Sequence, residues 1–130
     1  MKRLDEHVTV SGQIAPEDIA GLGVAMIVNN RPDGEEPGQP ASEALRAAAE
    51  AAGVAYRHIP VAGGMSLPQV AQMAEALAAA EGPVLCFCRS GTRSTYLWAL
   101  ARARLGDGAD ELVAKAAAAG YDLTPIRSAL

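Results

Sequence analysis

Residues 83–94 read PVLCFCRSGTRS, and the order of residue types in this segment indicates the fold class. It begins with a short apolar run that predicts a buried strand over Pro83–Phe87. A polar loop follows, and apolar residues then recur at helical spacing from Leu97 to Leu105, which predicts a helix over Thr92–Leu105. A strand, a loop and a helix in this order are typical of a parallel sheet covered by helices.

The same alternation continues outward from this stretch. Three more apolar runs predict strands: His7–Val10, Val24–Val28 and Tyr56–Val61. Start and stop signals predict helices in the remaining windows: Pro16–Gly21, Ala41–Ala52, a helix capped by Ser66, Ala109–Ala119 and a last one from Asp122. The length and this pattern together predict a single α/β domain over residues 1–130.

The composition excludes several classes of protein. Half of the 130 residues are apolar and the formal net charge is −4, which favours a globular domain and argues against nucleic acid or a membrane as partner. No apolar run reaches the roughly 18 residues that span a bilayer, and the first ten residues become charged too early for a signal peptide. Cys86 and Cys88 are too close for an ordinary disulfide, so we expect reduced thiols and a cytoplasmic location.

Three loops are expected to meet at one edge of the sheet. The carboxyl ends of the predicted strands lead into Asn29–Gly34, Ala62–Gly64 and Cys88–Arg93, and open α/β sheets bind ligands at that edge. The first is part of a Gly- and Pro-rich segment with several acids, which we call the acidic loop (Asn29–Pro40). We call Cys88–Arg93 the cysteine loop.

The cysteine loop has the residues of a site for an activated thiol and an anion. Its backbone N–H groups can converge on one point, and the start of the next helix adds positive charge, so we expect a low pKa for Cys88. Arg93 can bind two oxygens of a tetrahedral oxyanion, and a glycine permits the positive φ of a tight turn. The other expected anion-binding residues are Arg89, Ser90, Gly91, Thr92 and Ser94.

A structural interpretation of these residues is also open. Cys88 could be a buried cysteine at the end of a strand, with both arginines paired to surface acids. For Cys86, which lies in the middle of the apolar run, a packed core thiol is the expectation.

The cysteine loop and the preceding strand resemble the signature loop of the tyrosine/dual-specificity superfamily of cysteine phosphatases. The segments SGQIAPEDI, VNNRPDGEEPGQP, YRHIPV and FCRSGTRS are together similar to the phosphatase-like domain of β-lactamase-hydrolase-like proteins. The resemblance covers residues 7–105 and implies a four-stranded, mainly parallel sheet flanked by helices. It also implies that Cys88 is the nucleophile and that Arg93 binds the oxyanion.

Two features depart from the phosphatase pattern. Only four residues separate Cys88 from Arg93, one fewer than in those phosphatases, and this spacing is similar to the loop of rhodanese-type sulfurtransferases, whose cysteine carries a persulfide. The aspartate that protonates the leaving group in phosphatases has no counterpart in the segment Val61–Gly64.

The acidic loop offers substitutes for the missing proton donor. Asp33 could act as the acid, and so could Glu35 or Glu36, although acids in a Gly- and Pro-rich loop are usually solvated. Arg31 of the same loop could extend the anion site or form a structural ion pair.

These observations favour a sulfurtransferase, in which Cys88 takes a sulfane sulfur from a small donor and passes it to a thiol acceptor. The resemblance supports sulfur chemistry, because it implies a family joined to persulfide-oxidising metallo-β-lactamase-like domains. The alternative is a phosphatase that forms a cysteinyl-phosphate on Cys88 and acts on a phosphorylated substrate. A second alternative is a non-catalytic anion-binding module. No cofactor is expected, and two distant histidines with two neighbouring thiols provide no metal site.

Overall fold

All four predicted strands form in the computed structural model, which describes residues 1–130. The strands of the sheet are β1 (Lys2–Arg3), β2 (Val8–Ser11), β3 (Met26–Asn29), β4 (Ala55–His58) and β5 (Val84–Phe87). The expected count of four is therefore corrected to five. The additional strand, β1, pairs antiparallel with β2 at the edge of the sheet. Its two exposed, charged residues carry no apolar signal that sequence analysis could use.

The sheet is mainly parallel, as predicted. The strand order is β1-β2-β5-β3-β4, and the pairs β2–β5, β5–β3 and β3–β4 are all parallel. The central strand is therefore β5, with β2 and β3 as its neighbours. This order places the cysteine loop in the middle of the carboxyl edge and the acidic loop beside it.

Helices cover both faces of the sheet. They are α1 (Ser42–Ala51), α2 (Leu67–Ala79), α3 (Thr92–Arg104) and α4 (Ala109–Ala118), with two 3-10 helices at Pro16–Gly21 and Thr124–Ala129. The predicted cap of α2 is confirmed, because the Ser66 hydroxyl accepts a hydrogen bond from the Gln69 N–H. The predicted tail helix from Asp122 is a 3-10 segment that begins two residues later. No helix is both long enough and apolar enough to cross a membrane.

The side chains of β5 alternate between two hydrophobic clusters. Val84 and Cys86 belong to the larger cluster, under α2, α3 and α4, whereas Leu85 and Phe87 belong to the smaller one, under α1. Because both faces are covered, the whole strand is apolar. Cys86 is completely buried, so its prediction as a core thiol is confirmed.

The strand β4 ends earlier than predicted. It was expected to run to Val61 but stops at His58, and Pro60 has no N–H for the ladder. The Val61 N–H still donates to the Asn30 carbonyl at 2.9 Å, which holds this segment beside the end of β3. The Val61 carbonyl is thereby brought to the site edge.

Candidate active site

The turn from β5 into α3 wraps the backbone around the sulfur of Cys88. Gly91 has a φ of 92° and donates its N–H to Cys88 Sγ at 3.1 Å. A Cβ atom at this position would collide with the hydroxyl of Tyr121. Backbone conformation and space therefore both require glycine here, as the sequence analysis expected for the turn.

The Cys88 thiol is buried but lies among hydrogen-bond donors. Burial by itself would raise its pKa, because only 1% of the residue is exposed. The backbone N–H groups of Ser94, Ser90 and Gly91 outweigh burial, so the pKa of Cys88 is below its ordinary value, and the Gly91 N–H makes a hydrogen bond to the sulfur. The Ser94 hydroxyl is also close, but it donates its proton to Asn30 Oδ1 at 2.7 Å. The backbone donors therefore stabilise the thiolate.

Cys86 lies within β5, two residues before Cys88, and shows the pKa of a thiol outside this turn. Both cysteines are free, but burial, with the negative charges of Asp5 and Cys88 nearby, raises the pKa of Cys86. A thiol in that environment stays protonated. The nucleophilic character at this edge therefore belongs to Cys88.

The guanidinium of Arg93 is hydrogen-bonded to protein groups through its two terminal nitrogens. Its Nη1 donates to Glu35 Oε2 and to the Val61 carbonyl, both at 2.8 Å, and its Nη2 donates to Glu35 Oε1 at 2.8 Å. The thiolate of Cys88 lies close enough to help raise the pKa of Arg93, after the larger contribution from Glu35. Arg93 thus joins the acidic loop to the cysteine loop.

Each nitrogen of the Arg31 guanidinium donates to a protein group. Its Nε donates to Glu35 Oε1 at 2.9 Å, its Nη2 to Glu36 Oε1 at 3.0 Å and its Nη1 to Gln13 Oε1 at 3.0 Å. The side chain is 1% exposed, and these hydrogen bonds compensate its buried charge. Arg31 therefore forms ion pairs within the protein, and its expected role in anion binding stays a prediction.

Asp33 lies at the start of a helix. Its Oδ1 accepts a hydrogen bond at 2.8 Å from the N–H of Ser42, the first residue of α1. A carboxylate at that position stabilises the helix through the unpaired N–H groups of its first turn.

The remaining candidates line the cysteine loop itself. Arg89 is exposed at its rim, next to Cys88. The Ser90 hydroxyl donates to Thr92 Oγ1 at 3.2 Å, which braces the turn. The loop therefore brings Cys88, Arg93 and the backbone donors together.

Four contributors to the site carried little or no sequence signal. Tyr121 donates to the Ser90 carbonyl at 3.1 Å from the outside of the loop, and Gln13 and Asn30 contact Arg31 and Ser94. These contacts link residues far apart in the chain, so no local pattern announces them. Glu35 was considered only as an acid, although two arginines within reach of one edge could have suggested a carboxylate partner.

A groove of about 460 Å³ lies at the amino ends of the strands and is lined by charged residues such as Arg3, Glu6 and Arg102. Another of the same volume borders Ser11 and Gln13 beyond the carboxyl end of β2. The cysteine loop is joined to Glu35 and to the Val61 carbonyl through Arg93. Its donors, rather than the size of a groove, identify the site.

A cysteine with a lowered pKa and an arginine lie together at the carboxyl edge of this mainly parallel sheet. The fold is that of cysteine phosphatase-like proteins: Tk-PTP in its active form has a TM-score of 0.71 and 20% identity, over 98% of this chain and 90% of that one. The family model "Beta-lactamase hydrolase-like protein, phosphatase-like domain" matches residues 1–105. The chain belongs to this family.

Several relatives carry the same domain. A β-lactamase hydrolase-like protein of Xylella fastidiosa is 40% identical over 127 residues, which cover 92% of this chain and 29% of the relative. One of Agrobacterium fabrum is 41% identical over 105 residues, with 78% and 24% covered. The crystal structure of a candidate phosphatase from Neisseria meningitidis is 39% identical, with a TM-score of 0.81 over 98% of this chain and 93% of that one. This chain thus spans less than a third of the length of the two curated relatives.

Proposed function

We propose that this protein is a cysteine-dependent phosphatase that hydrolyses phosphoesters with acidic leaving groups through a cysteinyl-phosphate on Cys88. The observation that carries this proposal is the turn that donates the Gly91 N–H to Cys88 Sγ at 3.1 Å, with the backbone N–H groups of Ser90 and Ser94 and the guanidinium of Arg93 beside it. Such a turn stabilises a thiolate before reaction and an anionic phosphoryl group during it. The phosphatase-like fold and family support the same chemistry.

The reaction has two displacement steps in this proposal. The Cys88 thiolate attacks phosphorus, an S–P bond forms, and the P–O bond to the leaving group breaks with its electron pair on oxygen. Water then attacks phosphorus, the S–P bond breaks and inorganic phosphate leaves. The water proton passes to solvent or to the phosphate, and the thiolate is regenerated. Arg93 and the loop N–H groups hold the non-bridging oxygens in both steps.

The surroundings of Cys88 limit the leaving group. The segment Val61–Gly64 has no acid, and Asp33 is engaged with the start of α1. Glu35 is held by Arg93, which lowers its pKa to about 2, so it is ionised at neutral pH and has no proton to give. An aryl phosphate releases a phenolate that needs no proton, whereas a phosphoserine peptide releases a poor alkoxide. We therefore propose aryl-type phosphoesters as the substrate class.

A turnover and trapping experiment tests this function. Wild-type protein is expected to release phosphate from an aryl phosphate and to show a transient mass increase of one phosphoryl group on acid quenching. Cys88→Ser should show neither, and phosphoserine peptides should be hydrolysed far more slowly. Absence of both turnover and the covalent adduct would overturn the proposal.

Sulfur transfer is the second candidate, and the spacing of four residues between Cys88 and Arg93 favours it. In this reaction the thiolate attacks the outer sulfur of thiosulfate, the S–S bond breaks, and sulfite leaves with the electron pair. Cyanide or a thiolate then takes the sulfur from the Cys88 persulfide, and no acid is needed. Addition of one sulfur to wild type but not to Cys88→Ser, followed by thiocyanate release, would establish it. Failure of both chemistries with retained oxyanion binding would leave an anion-binding module.

The two free thiols also support a reducing compartment, and we propose a cytoplasmic location on that basis.

A further inference from the structure

We propose that Glu35 is a positioning residue that fixes the guanidinium of Arg93 so that one edge of it faces the anion bound at Cys88. This inference rests on the anion-directed chemistry proposed for the cysteine loop. It assigns to the acidic loop a role that concerns geometry and not proton transfer.

The hydrogen bonds of Arg93 show which edge is left open. A guanidinium has five N–H donors. Glu35 and Val61 accept from both donors of Nη1 and from one donor of Nη2. The Nε–H and the second N–H of Nη2 remain, and they form the side edge of the fork that binds two oxygens of an oxyanion. Glu35 therefore binds the edge of the guanidinium formed by Nη1 and Nη2. The edge formed by Nε–H and the second N–H of Nη2 is left to bind the substrate anion.

The carboxylate of Glu35 is itself fixed from the other side. Its Oε1 also accepts from Nε of Arg31, whose side chain is buried and bonded to Gln13. The backbone N–H of Glu35 donates to Gln39 Oε1 at 3.1 Å, which braces the turn of the acidic loop. Glu35 is thus anchored to the body of the protein, and this anchoring limits the rotamers of Arg93.

Charge and geometry predict opposite results when Glu35 is neutralised. If the carboxylate acted only through its charge, Glu35→Gln would make the site more positive and would strengthen anion binding. If it positions Arg93, the same change loosens the fork and weakens anion binding. Glu36 provides a matched control, because it carries the same charge and also contacts Arg31 but makes no contact with Arg93.

The test measures tungstate binding by calorimetry on folded wild type, Glu35→Gln and Glu36→Gln, with no turnover required. We expect Glu35→Gln to weaken binding by about 10-fold, since small misplacements of a binding group can cost up to about 100-fold. Glu36→Gln should change it by less than about 2-fold. Tighter binding by Glu35→Gln, or equal losses in both variants, would overturn the proposal.

A second measurement ties the effect to Arg93. In an Arg93→Lys background the fork is absent, so Glu35→Gln should add less than about 2-fold to the loss of tungstate binding. The ratio of alkylation rates of Cys88 by iodoacetate and by iodoacetamide should fall in Glu35→Gln, because iodoacetate depends on a positioned cation. A full additive loss in the Lys background, or a raised ratio, would contradict the role. Neither assay needs catalysis, so failure of the phosphatase proposal would be seen separately.

Discussion

The cysteine loop and the acidic loop leave the same edge of the sheet from neighbouring strands, yet they are built in different ways. The cysteine loop follows β5 and directs backbone N–H groups inward at one sulfur. The acidic loop follows β3 and uses side chains, chiefly Arg31 and Glu35, in ion pairs that reach across to Arg93. A short turn before a helix creates a site from its own backbone, whereas a long loop acquires its role only through distant partners. The predictions below test this division.

The largest effect is expected at the two cysteines. Cys88→Ser should lower aryl phosphate turnover by about 10⁴-fold or more, because the nucleophile is lost. Cys86→Ala should keep turnover while lowering the free energy of unfolding by about 1 to 2 kcal/mol, since it leaves a small cavity in the core. Steady-state kinetics and urea unfolding measure the two quantities. Loss of turnover in Cys86→Ala with normal stability would instead mean that the buried Cys86 takes part in the reaction.

The two arginines should also differ, with Arg93 affecting mainly kcat/KM and Arg31 affecting mainly the free energy of unfolding. Arg93→Ala is expected to lower kcat/KM by about 10²- to 10³-fold, as removal of an oxyanion donor does. Arg31→Met leaves Glu35 and Glu36 without their buried partner, so it should lower the free energy of unfolding by about 3 kcal/mol. A severe loss of kcat/KM in Arg31→Met at unchanged stability would instead make Arg31 part of the anion site.

The thiols should also differ in their dependence on pH. Because the folded pKa of Cys88 is lowered, its thiolate persists below the ordinary range of a free thiol and disappears only as the pH falls through that lowered value. Iodoacetamide labelling followed by peptide mass should show Cys88 reacting near neutral pH and Cys86 protected. Preferential labelling of Cys86 in the folded protein would contradict this assignment.

The strand, the turn and the lowered pKa of Cys88 could be predicted because their determinants are local. An apolar run, Gly91 and the following helix are contiguous, and a backbone turn needs no distant residue to form its donors. The position of Glu35 could not be predicted, because it lies 58 positions before Arg93 and only the strand order brings them together. The strand β1 was missed for a related reason: its pairing depends on the backbone of β2 and not on its own side chains.

The ion pair of Glu35 should appear as acid sensitivity. Arg93 lowers the pKa of Glu35 from 4.5 to about 2, so the pair contributes stability above pH 4.5 that is lost as the pH falls towards 2. The expected loss is about 1 to 3 kcal/mol, allowing for solvent screening of a side chain that is 28% exposed. Urea unfolding between these pH values should show that the free energy of unfolding changes less with pH in Glu35→Gln than in Glu36→Gln. An equal dependence on pH in the two variants would mean that the ion pair contributes no stability.

The smallest effect is expected at Asp33, one of the three acids considered for proton transfer. If Asp33 supports α1 through the Ser42 N–H, Asp33→Asn keeps an oxygen acceptor and loses only the charge at the helix start, which is worth about 0.5 kcal/mol. Asp33→Ala loses the acceptor as well and should cost about 1 kcal/mol. Aryl phosphate turnover should stay within about 2-fold in both variants, because a helix cap does not touch the reacting atoms. If Asp33 were the acid, both variants would lose activity: Asp33→Asn would be as inactive as Asp33→Ala, and the loss would grow as the leaving group became more basic. Measuring kcat for a series of aryl phosphates of increasing phenol pKa, alongside urea unfolding, decides between the two roles. A steeper dependence on leaving-group pKa in Asp33→Asn than in wild type would assign the proton to Asp33.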